Sequence, residues 1–110
     1  MARKVKSQAK AKQQKEEAMK LIAHVPEEYV FRCNNGDVYS DMEELAEGLR
    51  SMTDEVFAYH ANDTKNDFVN WVRDIIRDEE LAINLAEATS REQADECICD
   101  RVAVLTRLCR

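Results

Sequence analysis

Residues 54–82, DEVFAYHANDTKNDFVNWVRDIIRDEELA, constrain the fold of this chain more than any other stretch. They hold four of its seven aromatic residues and one of its two histidines. Phe68, Trp71, Val72, Ile75 and Ile76 recur in steps of three, one, three and one, the spacing of a helix with one apolar face. Val56, Phe57 and Tyr59 supply a shorter apolar stripe before it. Between the two lies a polar joint, His60–Asp67. A chain with only 6% aromatics that gathers them here builds its core here. The polar side chains of the joint are then left to satisfy the backbone or to meet a partner.

At 110 residues the chain is expected to form one domain with one modest core. Two Gly and one Pro are too few for an all-β fold, while abundant Ala, Glu, Leu, Lys and Arg favour helix. No run approaches the ~18 apolar residues of a membrane span. The basic start is not followed by an apolar segment of the secretory kind, so a cytoplasmic protein is expected.

Charge is divided unevenly. Residues 1–20 carry seven basic side chains and two acidic ones, net +5, whereas residues 21–110 carry nine basic and twenty acidic ones, net −11. The asymmetry gives Arg3, Lys4, Lys6, Lys10, Lys12 and Lys15 as candidate phosphate contacts for a nucleic acid. The acidic body opposes such a partner and offers no basic recognition helix. Residues 1–17 read as a basic flexible tail, because beyond Ala and Val5 they have almost nothing to bury. Residues 18–110 read as a single α-rich domain. Ala18, Leu21, Ile22 and Val25 form a short helical stripe that docks on this body, and Pro26 stops it.

Tyr29–Cys33 and Asp37–Tyr39 read as two strands around the turn Asn34–Asn35–Gly36. Helix starts follow at Ser40 with Glu43, at Thr53, at Thr64 with Asp67 and at Asp78, and a last helix, about 91–109, starts at Ser90 with Gln93. The expected core is Leu45, Leu49, Met52, Val56, Phe57, Phe68, Trp71, Val72, Ile75, Leu81, Leu85, Ile98, Val102 and Leu105.

Gly36, Leu45, Leu49, Met52, Asp54–Glu55, Phe57, Tyr59–His60, Asn62, Asn66–Asp67–Phe68, Trp71–Val72, Asp78 and Leu81–Ala82 together resemble a small uncharacterised domain family of archaea and bacteria. The resemblance spans about residues 26–86, and its order Tyr-His-x-Asn then Asn-Asp-Phe-x-x-Trp is its specific part. It implies a fold unit and no reaction. The family pattern has Gly before the Asp of the fourth helix, suited to a left-handed helix end, where this chain has Arg77.

His60 oriented by Asp67 has the form of a general base, since a carboxylate can fix an imidazole tautomer. No nucleophile accompanies it: no Ser in a strained turn and no Cys near a second His. Asn62, Asn66 and Asp67 read instead as groups that satisfy backbone at a helix joint, with His60 closing the network. Trp71 shares the stripe of Phe68 and Ile75 and reads as core rather than an exposed anchor. Cys33, Cys97, Cys99 and Cys109 lack the paired spacing of structural zinc, and on a helix Cys97 and Cys99 point about 200° apart. They read as small buried hydrophobes, with Cys99 the most exposed. The acidic run Asp41, Glu43, Glu44, Glu47 reads as a solvated face and caps. No metal, cofactor or catalytic residue is assigned.

The expected fold is α+β and predominantly α: a short N-terminal β-hairpin packed by four helices, with a basic N-terminal helix or tail. The expected function is a non-enzymatic protein-interaction module or accessory subunit. Its partner-binding residues are His60, Asn62 and Asn66 at the joint and Val104 and Leu108 on the last helix. That helix is apolar on more than one side and so calls for a protein partner or self-association. The alternative is a nucleic-acid- or ribosome-associated protein binding through its basic tail.

Overall fold

A computed structural model describes residues 2–110, with side chains from Lys12 onward. The fold is predominantly α with one small hairpin, as expected. Helix α1 (Ala2–Ile22) leads into a single 3-10 turn, Glu27–Tyr29. Strands β1 (Phe31–Arg32) and β2 (Val38–Tyr39) follow, then helices α2 (Met42–Ser51), α3 (Asp54–His60), α4 (Asp67–Trp71), α5 (Glu79–Ala86) and α6 (Arg91–Leu108). Helix α4 continues without a break into a π turn, Val72–Ile76.

Helix α1 shows no break between a tail and a docked stripe at residue 17. Its docked part includes the expected Ala18, which is buried, and Leu21 and Ile22, which pack against the core; Val25 packs there too, but beyond the end of the helix. The helix ends four residues before Pro26, whose ring disfavours helix in the residue ahead of it.

The hairpin is shorter than its sequence pattern. Phe31 pairs with Tyr39 and Arg32 with Val38 in antiparallel register. Tyr29 belongs to the 3-10 turn, because Trp71 Nε1 donates to its carbonyl at 2.8 Å and fixes it there. The Cys33 carbonyl accepts from Gly36 N–H, and Cys33 N–H donates to the Asp37 carbonyl. Gly36 sits at φ 96°, the left-handed position that such a turn demands of its last residue. Only one face of the hairpin is buried. Phe31 lies at the centre of an aromatic cluster, stacked on Phe68 at 5.1 Å and on Tyr39 at 6.0 Å, and edge-on to His60 and Trp71. Two strands alone are marginal, and this cluster is what holds them to α4.

Helices α2 and α6 form the central pair, with α1 and α5 packed on α6. On α2 and α6, Leu45, Leu49, Ile98 and Leu105 are fully or almost fully buried. Of the expected core, Val56, Phe57, Ile75 and Val102 are only partly buried. Ile75 is only packed against the core's edge, whereas Ile76 and Val69 are buried. Phe31, Cys33 and Tyr39 join the core although no long periodic stripe marks them, and Met42 joins it on the stripe of Leu45 and Leu49.

Two helix starts are shifted. Asp41, not Ser40, caps α2, its Oδ1 accepting from Glu44 N–H at 2.7 Å. Asn66, not Thr64, caps α4, accepting from Val69 N–H at 3.1 Å. Thr53, Asp78 and Ser90 cap α3, α5 and α6 as their sequence positions indicate. Arg91 then ties the start of α6 to the end of α2. Its Nη1 donates to the Leu49 carbonyl at 2.7 Å, satisfying an acceptor that the helix end leaves open.

Candidate functional site

The joint between α3 and α4 is a tight reversal. Asn62 N–H donates to the Lys65 carbonyl at 2.8 Å, and Ala61 and Asn66 form an isolated bridge. Asn62 serves this turn with every polar atom of its side chain. Its Nδ2 donates to the Ala58 and Tyr59 carbonyls at the end of α3. Its Oδ1 accepts from the Thr64 backbone and hydroxyl. Asn66 caps α4. Both asparagines thus perform the backbone work that their residue type favours at helix ends.

His60 is 4% exposed, so it does not face a partner as expected; the reason is that the hairpin folds over it. Its Nδ1 lies 2.9 Å from Asp67 Oδ2, and its Nε2 accepts from the backbone N–H of Asn34 at 3.1 Å. A backbone N–H can only donate, so Nε2 carries the lone pair and the proton is on Nδ1, aimed at Asp67. The imidazole therefore bridges the hairpin turn to the helix joint. Phe31 and Phe68 pack against its ring. Deprotonating an external group would require Nε2 to give up Asn34.

Asp67 has two partners, His60 Nδ1 and Lys65 Nζ, each at 2.9 Å. Burial alone would raise its carboxyl, but the hydrogen bond from His60 and the Lys65 contact outweigh it and hold the group below the ordinary carboxylate range. Lys65 also lies over the Tyr59 ring, 4.6 Å from its centre. Beside the joint runs a groove lined by Phe57, Ala61, Asn62, Asn66, Ala88 and Thr89.

The structure does not bring the other expected partner residues into this groove. Val104 and Leu108 stand on α6, 38% and 39% exposed, one helical turn apart. Of the basic candidates, Lys12 and Lys15 are exposed on α1. The side chains of Arg3, Lys4, Lys6 and Lys10 lie outside the described residues.

Cys33 is buried, and Cys97, Cys99 and Cys109 are partly buried against the core. Cys99 Sγ donates to Asp95 Oδ1 at 3.2 Å. Burial raises the thiols of Cys97 and Cys99, and nearby carboxylates add to it, so neither is primed as a thiolate.

In the acidic run Asp41 is a cap, the one that starts α2. Asp41 is 7% exposed, and Glu44 Oε1 accepts from both the backbone and the hydroxyl of Ser40, at 2.7 and 2.9 Å. His24, Asp41 and Glu44 form, among the described residues, a group whose donor atoms are close enough to hold one metal ion. Sequence spacing conceals it, since His24 comes from the segment before the hairpin. Asn34 was equally hidden: its contact to His60 spans 26 positions, whereas the His60–Asp67 contact spans seven and is legible locally.

Comparison with family models, with curated proteins and with solved structures finds no match to this chain. Among the described residues, no helix is long and apolar enough to cross a membrane.

Proposed function

We propose that this chain is a non-enzymatic protein-interaction module, an accessory subunit that docks through the outer face of α6. The observation that carries the reading is the exposed pair Val104 and Leu108, on a helix whose Ala94, Ile98 and Leu105 are already buried. A helix that buries one apolar stripe and presents another has a second surface to cover. The engagement of both His60 nitrogens inside the protein also supports a joint that is structural rather than catalytic. Asn62 and Asn66 then contribute only a polar rim to the neighbouring groove. Residues 26–86 are taken as the unit of the uncharacterised family they resemble, which brings no activity with it. The proposed compartment is the cytoplasm, where unpaired thiols such as the four here are kept reduced.

Exposed Lys12 and Lys15 favour a second reading, contact with a nucleic acid or ribosome through α1. One experiment separates the two. The tagged full-length chain is purified from its native cells with and without nuclease. It is run beside a Val104→Asp/Leu108→Asp variant and a chain lacking residues 1–16. The interaction reading expects a stoichiometric protein partner, or a self-associated chain, that survives nuclease and truncation and is lost in the double variant. Nucleic acid recovered with the full chain and lost on truncation supports the second reading. A monomer that retains no partner ends the first.

A further inference from the structure

The start of α2 carries a cluster that the interaction reading does not use. His24 Nδ1 lies 3.0 Å from Asp41 Oδ2 and 2.9 Å from Ser40 Oγ. One donor atom from each of His24, Asp41 and Glu44 falls within 4.8 Å of the other two. A tetrahedral ion with bonds of roughly 2.0–2.2 Å separates its ligands by about 3.3–3.6 Å, so side-chain adjustment within that 4.8 Å limit brings the three atoms to three corners.

The three side chains come from two separate parts of the chain, and backbone contacts hold those parts together. Val25 N–H donates to the Ser40 carbonyl at 2.7 Å, which fixes the segment carrying His24 against the start of α2. Asp41 Oδ1 is occupied by Glu44 N–H, which leaves Oδ2 turned toward His24. Ser40 orients Glu44. Outer contacts of this kind fix the aim of ligating carboxylates. The Asp41 side chain is 11% exposed and that of His24 is 70% exposed, so the cluster is buried on one side and open to water on the other.

An imidazole sets this group apart from an ordinary acidic helix start. Calcium and magnesium prefer all-oxygen shells, whereas one nitrogen and two carboxylates suit a divalent ion of the zinc class. The positive end of the α2 dipole, about half a charge, opposes a cation here. The two ligating carboxylates and Glu43 beside them outweigh it.

We propose that His24, Asp41 and Glu44 bind a divalent transition-metal ion of the zinc class, which clamps the segment after α1 to the start of α2.

The test titrates the full-length reduced chain with Co2+, reads the visible d–d absorption, and then displaces the ion with Zn2+. His24→Ala removes an exposed ligand. Asp41→Asn removes a charged ligand while keeping a good helix cap, so the fold is retained. The expected result is saturation at one equivalent, no thiolate charge-transfer band, and affinity at least tenfold weaker in each variant. Circular dichroism in chelator confirms that both variants are folded. The proposal is overturned by absence of saturable binding, by unchanged affinity in either folded variant, or by a thiolate band that assigns the ion to cysteine.

Discussion

Arg101 on α6 grips Asp78 at the start of α5 with two hydrogen bonds, Nε to Oδ2 at 2.7 Å and Nη2 to Oδ1 at 3.2 Å. Asp78 is 2% exposed, and its Oδ1 also accepts from Leu81 N–H at 3.1 Å. One carboxylate thus begins a helix and joins it to its neighbour. Removing Arg101 strands the buried Asp78 carboxylate, at a cost of about 3–5 kcal/mol, and Arg101→Met should lose that much in urea denaturation. Asp78→Ala should lose less, about 2–3 kcal/mol from the helix cap and the pair, because Arg101 is partly exposed and keeps Glu80 at 3.0 Å. The double variant should lose clearly less than the two single losses added together, because the stranded charge is gone. A loss below about 1 kcal/mol in Asp78→Ala would show that the pair is not formed.

His60 should display one tautomer. Imidazole 15N spectra of the native protein are expected to place the proton on Nδ1 and leave Nε2 bare, as the Asn34 bond requires. His60→Ala opens a cavity and leaves the Asn34 N–H without its acceptor. A loss of about 2–4 kcal/mol is expected, with the hairpin amides losing exchange protection first. Protonated Nε2 in the spectra would contradict the bridge.

Acid should weaken the fold through two carboxylates. The backbone and hydroxyl of Ser40 hold the Glu44 carboxyl below its ordinary value. Asp67 is lowered as well, burial being outweighed by His60 and Lys65. A carboxyl lowered on folding stabilises fully above its unfolded value and loses that contribution as the pH falls through the folded one. The stability difference between the native chain and Glu44→Gln, measured in chelator, should therefore be constant near neutrality and shrink below about pH 4. A difference that stays constant down to pH 2 would mean that the Ser40 contacts do not favour the charged form.

Gly48 should resist the usual helix-stabilising substitution. Alanine gains about 1 kcal/mol over glycine inside a helix. A Cβ at position 48, however, would overlap the ring of Tyr39, which lies directly on the α2 backbone. Gly48→Ala is expected to be net destabilising, by about 1–3 kcal/mol. In a Tyr39→Leu background the same change should become neutral or favourable. If Gly48→Ala stabilises the native background, Tyr39 is not seated there.

Arg77 should tolerate glycine better than itself. It ends the π turn at φ 71° and ψ 33°, the one non-glycine residue with positive φ among the described residues. Its N–H and that of Asp78 both donate to the Val72 carbonyl, so the geometry is fixed by the helix end. The left-handed conformation costs a residue with a Cβ about 1–2 kcal/mol. Arg77→Gly should raise the unfolding free energy by roughly 1 kcal/mol, less the entropy that glycine gains in the unfolded chain. A lower midpoint in thermal unfolding would count against the left-handed assignment.

The α-rich fold, the hairpin turn at Gly36 and most helix starts were legible in the sequence because each depends on neighbours a few positions apart. Thr53, Asp78 and Ser90 cap the helices they precede, and Phe68, Trp71 and Val72 are core because a helix sets them on one side. The joint was legible in part for the same reason: His60 and Asp67 meet across a short loop. Where two caps were available, local pattern could not choose between them. Asp41 displaced Ser40 because Glu44 engages Ser40 instead, and His24 approaches from outside the helix. Tertiary structure alone decided that His60 is buried, that Asp78 finds Arg101, and that His24 faces Asp41 and Glu44. Each of these pairings joins chain segments brought together by burial of the aromatic cluster and the α2–α6 interface. The apolar pattern specifies that such burial happens; it carries no information about which polar groups come to face one another as a result.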